Sequence, residues 1–212
     1  MHYTMNIAGL NRDLPLCAVN EDLYIAAFII LGDSEMSEAA ARELLKKAPE
    51  HDVMLTAEAK SIPLIHEMSR QEGHTRYIVA RKASKIYITD PVTVTVRSIT
   101  TAREQTLILD QPELDYMKGK KVLIVDDVVS TGDSARALSE LVQMAGGEVV
   151  GIACVLAEGA AAERPDVVCL EKLPLFNAKG EVIEDYFMKK WPLCRFSAFL
   201  CWQIGKEAFS FM

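Results

Sequence analysis

The chain predicts an α/β fold, a central parallel sheet flanked by helices, and three observations carry that prediction. Val122, Leu123, Ile124 and Val125 form an unbroken β-prone apolar run of the length expected for a strand buried on both faces. The run ends on two carboxylates, Asp126 and Asp127, and a short Ser-Thr-Gly loop. Beyond the loop the spacing turns helical, with Ala135, Leu138, Leu141, Val142 and Ala145 three or four residues apart, until Gly146 and Gly147 stop it. Similar β-prone runs alternate with helical stretches along the chain, as a parallel sheet with crossover helices requires.

Taken in order, residues 23–31 are a β-like run. Ser34 or Ser37 can cap a helix that takes in Ala39, Leu44 and Leu45 and ends near Pro49. Residues 53–56 read as a strand. Residues 62–72 read as a helix with Pro63 in its first turn, where a missing N–H costs nothing, and Gly73 closes it. Residues 77–80 are the next strand. Between Lys85 and Lys118 a series of β-branched residues, 86–101 and then 106–109, predicts a long hairpin. Residues 149–156 form a further apolar strand after the 135–145 helix. The strands are expected to be neighbours joined by right-handed crossovers. No repeat, low-complexity segment or linker interrupts the pattern, so residues 1–212 are read as one domain with its core at about 50–158.

A strand, a tight loop and a helix N-terminus in that order make an anion site, because the first helical N–H groups lack partners and the dipole favours negative charge. Gly132 permits close approach by the backbone, and Ser130, Thr131 and Ser134 add hydroxyl donors suited to a phosphate monoester. Asp126 and Asp127 are acceptors suited to two vicinal ribose hydroxyls. Phosphate and diol together suggest a phosphoribosyl group. The dinucleotide fingerprint G-x-G-x-x-G and the P-loop G-x-x-x-x-G-K-[ST] are both absent from the chain.

On these residues the segment 122–134 resembles the signature of the type I phosphoribosyltransferases, which bind phosphoribosyl pyrophosphate (PRPP). Two further segments are similar to the purine branch of that family, the adenine and xanthine enzymes. Residues 52–63 resemble their strand and pyrophosphate-binding loop, opened here by Glu58 and Ala59, and residues 77–85 resemble their strand ending in Arg-Lys, here Arg81 and Lys82. The resemblance covers about Asp52 to Glu158. It implies the type I phosphoribosyltransferase fold, with a hairpin flap closing over the reacting ribose and a small hood from the terminal segments. It also implies transfer of the phosphoribosyl group to a purine, adenine ahead of xanthine or guanine, with Mg²⁺ as cofactor and release of pyrophosphate. The alternative is a noncatalytic regulatory protein of the same fold that binds PRPP or a nucleotide.

Under that resemblance Asp126 and Asp127 take the ribose hydroxyls and, indirectly, the metal, which no side chain is expected to hold outright. Ser130, Thr131, Gly132, Asp133 and Ser134 form the 5′-phosphate loop. The Asp133 carboxylate must point away from the phosphate, as a helix cap would, since like charges at close range cost affinity. Ala59, Lys60 and Ser61 contact pyrophosphate, and Arg81, Lys82 and Lys85 add positive charge beside the leaving group or base. Adenine enzymes place Glu-Tyr-Gly in the flap, whereas this chain has Thr100, Thr101, Ala102, Arg103, Glu104 and Gln105, so Glu104 is the candidate replacement carboxylate. Val128 and Phe28 are the base-binding candidates, with Phe176, Phe187 and Trp191 as further aromatics in hood segments at residues 16–33 and 173–191. Glu158 and Gly159 lack the following lysine associated with xanthine-type enzymes.

Composition bounds the function classes. The 212 residues carry 23 basic and 30 acidic side chains, a net charge of −7, which disfavours nonspecific nucleic-acid binding. No signal-like N-terminus and no apolar run of membrane-spanning length is visible, and Cys17, Cys154, Cys169, Cys194 and Cys201 are scattered without C-x-x-C, so a cytoplasmic protein without zinc is expected. His2, His51, His66 and His74 lack ligand spacing, and the absence of a G-x-S-x-G elbow argues against a serine hydrolase. The apolar tail at 196–205 is expected to pack on the core or on a second subunit of a homodimer.

Overall fold

A computed structural model describes residues 1–97 and 104–183. In chain order its elements are β1 (His2–Ile7), β2 (Leu10–Ala18), β3 (Tyr24–Ala26), α1 (Ser34–Leu45), β4 (Val53–Ala57), α2 (Ile62–Glu72), β5 (Ile78–Ala80), β6 (Pro91–Arg97) and β7 (Glu104–Asp110). There follow α3 (Gln111–Met117), β8 (Lys121–Val129), α4 (Asp133–Met144), β9 (Glu148–Glu158), a short 3₁₀ helix (Gly159–Glu163), β10 (Val167–Leu173), β11 (Leu175–Phe176) and β12 (Val182–Ile183).

The central sheet has the order β10-β9-β8-β4-β5, and all its neighbours are parallel. From β4 the chain steps outward to β5, then returns to the other side of β4 at β8 and steps outward again through β9 and β10. The winding direction therefore reverses between β4 and β8. The loops leaving the carboxyl ends of these two strands diverge, and a crevice opens between them, the place where ligands bind in sheets of this kind. Alternate residues of each strand feed two cores. Val53, Leu55, Val122, Ile124, Ile152 and Cys154 pack with α3, α4 and the β6–β7 hairpin on one face. Met54, Leu123, Val125, Ala153 and Val155 pack with α1, α2 and residues of the second sheet on the other. This two-sided burial is why the strands read as continuous apolar runs.

The second sheet, β1-β2-β3-β11-β12, is antiparallel throughout and joins residues from both ends of the described chain, which is the hood expected from the flanks. Its N-terminal hairpin turns at Ala8 and Gly9. Arg12 of β2 ties it to α1, with Nε 2.7 Å from Asp33 Oδ2 and Nη2 2.8 Å from Glu35 Oε2. The guanidinium holds the Asp33 carboxyl below the usual carboxylate range. The third sheet is the β6–β7 hairpin, whose base is held to β5 by reciprocal backbone hydrogen bonds of 2.8 Å between Arg81 and Ile108.

Several expectations need correcting. The cap of α1 is Asp33 rather than Ser34 or Ser37; its carboxylate accepts from the Met36 N–H at 3.0 Å while also pairing with Arg12, and the buried Ser37 hydroxyl donates to the Asp33 carbonyl. Of residues 23–31 only Tyr24–Ala26 pair in a strand, since β2 and β11 flank only that length. Residues 86–90 lie outside the hairpin, and α3, opened by a capping box between Asp110 and Glu113, follows β7 directly, where no element is expected from the sequence. The α2 helix has the expected bounds, and Gly73 closes it in the left-handed region at φ 76°. Phe187, Trp191, Cys194, Cys201, the 196–205 tail and residues 100–103, for which the sequence carries expectations, fall outside the described residues. Among the described residues no helix is long and apolar enough to cross a membrane.

Candidate active site

The crevice is framed by the loop after β4, residues 58–61, and the loop after β8, residues 130–133. Ser61, buried at the start of α2, joins them. Its hydroxyl donates to Asp126 Oδ1 at 2.7 Å, lies 3.2 Å from Asp127 Oδ1, and accepts the Asp127 backbone N–H at 2.9 Å. The Asp127 N–H also reaches Asp126 Oδ1 at 2.9 Å. One hydroxyl proton thus serves two carboxylates, and the residue supplying it comes from a loop 65 positions away in sequence from Asp126.

Asp127 is 3 % exposed, and its Oδ2 receives no aligned hydrogen bond, although the Lys60 ammonium stands 3.1 Å away. The contact is electrostatic without hydrogen-bond alignment, which leaves this oxygen able to accept a donor. Asp126 is half-buried, and its carboxyl is raised well above the usual range, first by burial and then by the Asp127 charge, against the Ser61 hydroxyl that holds it down. A carboxyl so raised, set beside a second acceptor, gains from any ligand that brings hydroxyl protons to it.

The loop after β8 works through its backbone. Gly132, the N-cap of α4, sits at φ 79°, a turn that places the first residues of the helix on the crevice. A cleft at this point is lined by Asp126, Val128, Val129, Ser130, Thr131, Gly132, Asp133, Ser134 and Ala135. Asp133 is the first residue of α4 and not its cap. Its Oδ2 accepts the Thr131 hydroxyl at 2.9 Å, and its Oδ1 pairs with Arg136 at 3.4 Å, so the carboxylate is occupied by its neighbours.

The remaining candidates divide. Ala59 and Lys60 are exposed at the crevice edge, and the Glu58–Ala59 peptide is cis. Glu58, at the opening of this loop, ties it to the end of β5: Oε2 accepts the Lys82 N–H at 3.1 Å, and Oε1 lies 3.8 Å from Arg81 Nη1. Arg81 is therefore placed beside the β4 loop. Lys82 contributes its backbone there, whereas Lys85 lies in the exposed 81–90 loop, its carbonyl accepting from Ile88. Glu104 begins β7, paired with Arg97 at the far end of the hairpin. Val128 is half-buried on the face toward the hood. Phe28 is not a stacking surface: it is 5 % exposed and packed in the core with Ile30 and Met36, because residues 26, 28 and 30 turn inward while Ile29 and Leu31 turn out.

Fold and site together define a doubly wound α/β protein with a glycine turn at a helix N-terminus and a carboxylate pair at its switch point. Residues 30–184 match the family described as the phosphoribosyl transferase domain. An orotate phosphoribosyltransferase of Caldanaerobacter subterraneus subsp. tengcongensis is 28 % identical over 178 residues, 83 % of this chain and 79 % of the relative. A xanthine phosphoribosyltransferase of Bifidobacterium adolescentis is 33 % identical over 109 residues, 51 % of this chain and 55 % of the relative. Among solved structures, an adenine phosphoribosyltransferase from Saccharomyces cerevisiae superposes with a TM-score of 0.58 over 74 % of this chain and 93 % of its own, at 18 % identity, a likeness of fold. The chain belongs to the phosphoribosyl transferase domain family.

Proposed function

We propose that the protein transfers the phosphoribosyl group of PRPP to a purine base, adenine first, releasing pyrophosphate. The observation that carries this reading is the Ser61 bridge, which fixes Asp126 and Asp127 as paired acceptors between an anion cradle and a basic loop. The α4 N-terminus and the 130–134 loop hold the 5′-phosphate, the carboxylates hold the two ribose hydroxyls, and Lys60 and Arg81 face the leaving pyrophosphate. The anomeric carbon is then held between cradle and leaving group, and catalysis is alignment plus charge stabilisation.

The donor set suits Mg²⁺. Asp127 Oδ2 is buried without a hydrogen-bond donor, and no cluster of three or more His, Cys, Asp or Glu ligands exists among the described residues, so the cation would take most ligands from substrate oxygens and water. Asp126 and Asp127 would hold it from the protein side, and it would neutralise charge on the departing pyrophosphate.

A purine is favoured over orotate by charge. Glu158 ends β9, level with Leu173 of the hood-side core, and burial raises its carboxyl. An acceptor at this end of the sheet would suit the exocyclic amine of adenine and repel an anionic base. The test is pyrophosphate release from PRPP and Mg²⁺ with adenine, guanine, hypoxanthine, xanthine, uracil and orotate in turn. Adenine-dependent release is expected. Release with orotate alone would overturn the base assignment, and PRPP binding without release for any base would establish the noncatalytic alternative. Glu104→Ala is expected to cost at least about tenfold in kcat; a smaller loss removes Glu104 as the flap carboxylate.

A further inference from the structure

The phosphate cradle has an electrostatic peculiarity. Its lining residues include two acids, Asp126 and Asp133, and no lysine or arginine. A dianionic phosphomonoester entering such a cleft meets backbone N–H groups and the dipole of α4 but no cationic side chain from the lining itself. A cation reaches the loop's backbone from outside the lining. A β-carbon placed on Gly132 would lie 2.5 Å from Arg164 Nη1, so the guanidinium rests against the turn itself.

Arg164 follows the 3₁₀ helix after β9 and is oriented by Asp166. Nε reaches Oδ1 at 3.0 Å and Nη2 reaches Oδ2 at 2.6 Å, a forked pair that fixes the guanidinium plane. Asp166 is itself anchored, its carbonyl accepting the Ile152 N–H of β9 at 2.9 Å. The fork engages two of the three nitrogens. Among the described residues Nη1 makes no hydrogen bond and is the nitrogen turned toward Gly132. The placement runs against the local field, since Gly132 caps the N-terminus of the 12-residue helix α4, the positive end of its dipole. A cation held there by a dedicated carboxylate becomes favourable when an anion occupies the cradle between them.

We propose that Arg164, held by Asp166, is a positioning residue for the 5′-phosphate, supplying through the Gly132 turn the positive charge that the loop's own side chains lack. The proposal rests on the reading of the 130–134 loop as the phosphate cradle. Glycine at 132 then has two reasons: the left-handed turn, and room for the guanidinium to lie against the backbone.

The test uses the full chain, with ribose 5-phosphate and pyrophosphate as separate calorimetric probes and thermal melts to confirm folding. Arg164→Gln keeps a hydrogen-bonding side chain but removes the charge; the dissociation constant for ribose 5-phosphate is expected to rise about tenfold, ~1.4 kcal/mol, with that for pyrophosphate unchanged. Arg164→Lys, which keeps the charge, should recover most of the loss. Asp166→Asn, which frees the guanidinium without altering it, should weaken ribose 5-phosphate by a smaller factor. Arg164→Gln within twofold of wild type, equal losses for both probes, or equal losses in the Gln and Lys variants would each overturn the proposal. A wild-type protein that binds pyrophosphate but not ribose 5-phosphate would instead overturn the cradle assignment, and this proposal with it.

Discussion

The two loops that meet at the switch point solve the same problem in opposite ways. The β4 loop reaches into the crevice with side chains: Ser61 bridges the carboxylates and Lys60 faces Asp127. The β8 loop presents backbone, through the Gly132 turn and the first N–H groups of α4, while its side chains bond one another, Thr131 to Asp133 and Asp133 to Arg136. Sensitivity to substitution should therefore be concentrated in the β4 loop and in the carboxylates it grips, and be low at the hydroxyls of the β8 loop.

The largest effect should come where the loops join. Asp126→Asn with Asp127→Asn should lower kcat/KM for PRPP by about three orders of magnitude or more while the far-ultraviolet dichroism stays native, and near-normal turnover in that variant would break the assignment of the pair. Ser61→Ala comes next. It strips the bridging donor from two carboxylates and an acceptor from the buried Asp127 N–H, at about 1–3 kcal/mol of stability in a denaturant titration, with turnover falling by more than tenfold.

A third test separates function from stability at Asp126, whose carboxyl is raised. The folded state keeps that proton to higher pH than the unfolded chain. The associated stability is complete below the unfolded value and is lost as pH rises through the raised one, whereas the ionised acceptor that the proposed reading assigns to ribose appears only above it. Turnover should thus rise with pH across the interval in which stability falls. Asp126→Asn, which can still accept from Ser61, should raise the melting temperature at about pH 8 by more than at about pH 4.5, an increment of roughly 1 kcal/mol. An equal shift at both pH values would show that burial and the Asp127 charge do not set its titration. The smallest effect belongs to Thr131→Val: a change in PRPP affinity under about threefold is expected, and a loss as large as that of Ser61→Ala would erase the contrast between the loops.

The sequence carried the position of the carboxylates, the turn before α4 and α2 because each has local punctuation: an apolar run ending in charge, a glycine at the turn, Pro63 and Gly73 at the ends of a helix. It did not carry the Ser61 bridge, since Ser61 and Asp126 meet only when β4 and β8 become neighbours, although the strand order that joins them follows from the winding rule. Arg164 is invisible for the same reason, lying beyond the strand that follows α4. The N-terminal hairpin left a faint signal, alternating Tyr3, Met5 and Ile7 before a turn at Ala8 and Gly9, but its strands are partly exposed on both faces, so the apolar contrast is weak. The helix α3, seven residues directly after β7, is too short to show a helical apolar period, and only the Asp110 and Glu113 capping box marks it. Phe28 was misread because aromatic identity says nothing about which way a residue points; its neighbours' alternation, with Ile29 and Leu31 outward, decides that.

The hood's pairing also sets a timetable for synthesis. β1 and β2 are close in sequence and can pair while the chain is still emerging, but the outer edge of β3 bonds to β11, positions 24–25 to positions 175–176. At roughly 5–20 residues per second the ribosome needs many seconds to bridge that gap, and throughout them the edge of β3 is an open template for strand addition. The parallel sheet, whose strands lie between Val53 and Leu173, can be made before the hood is sealed, so among the described residues the hood closes after the crevice is built.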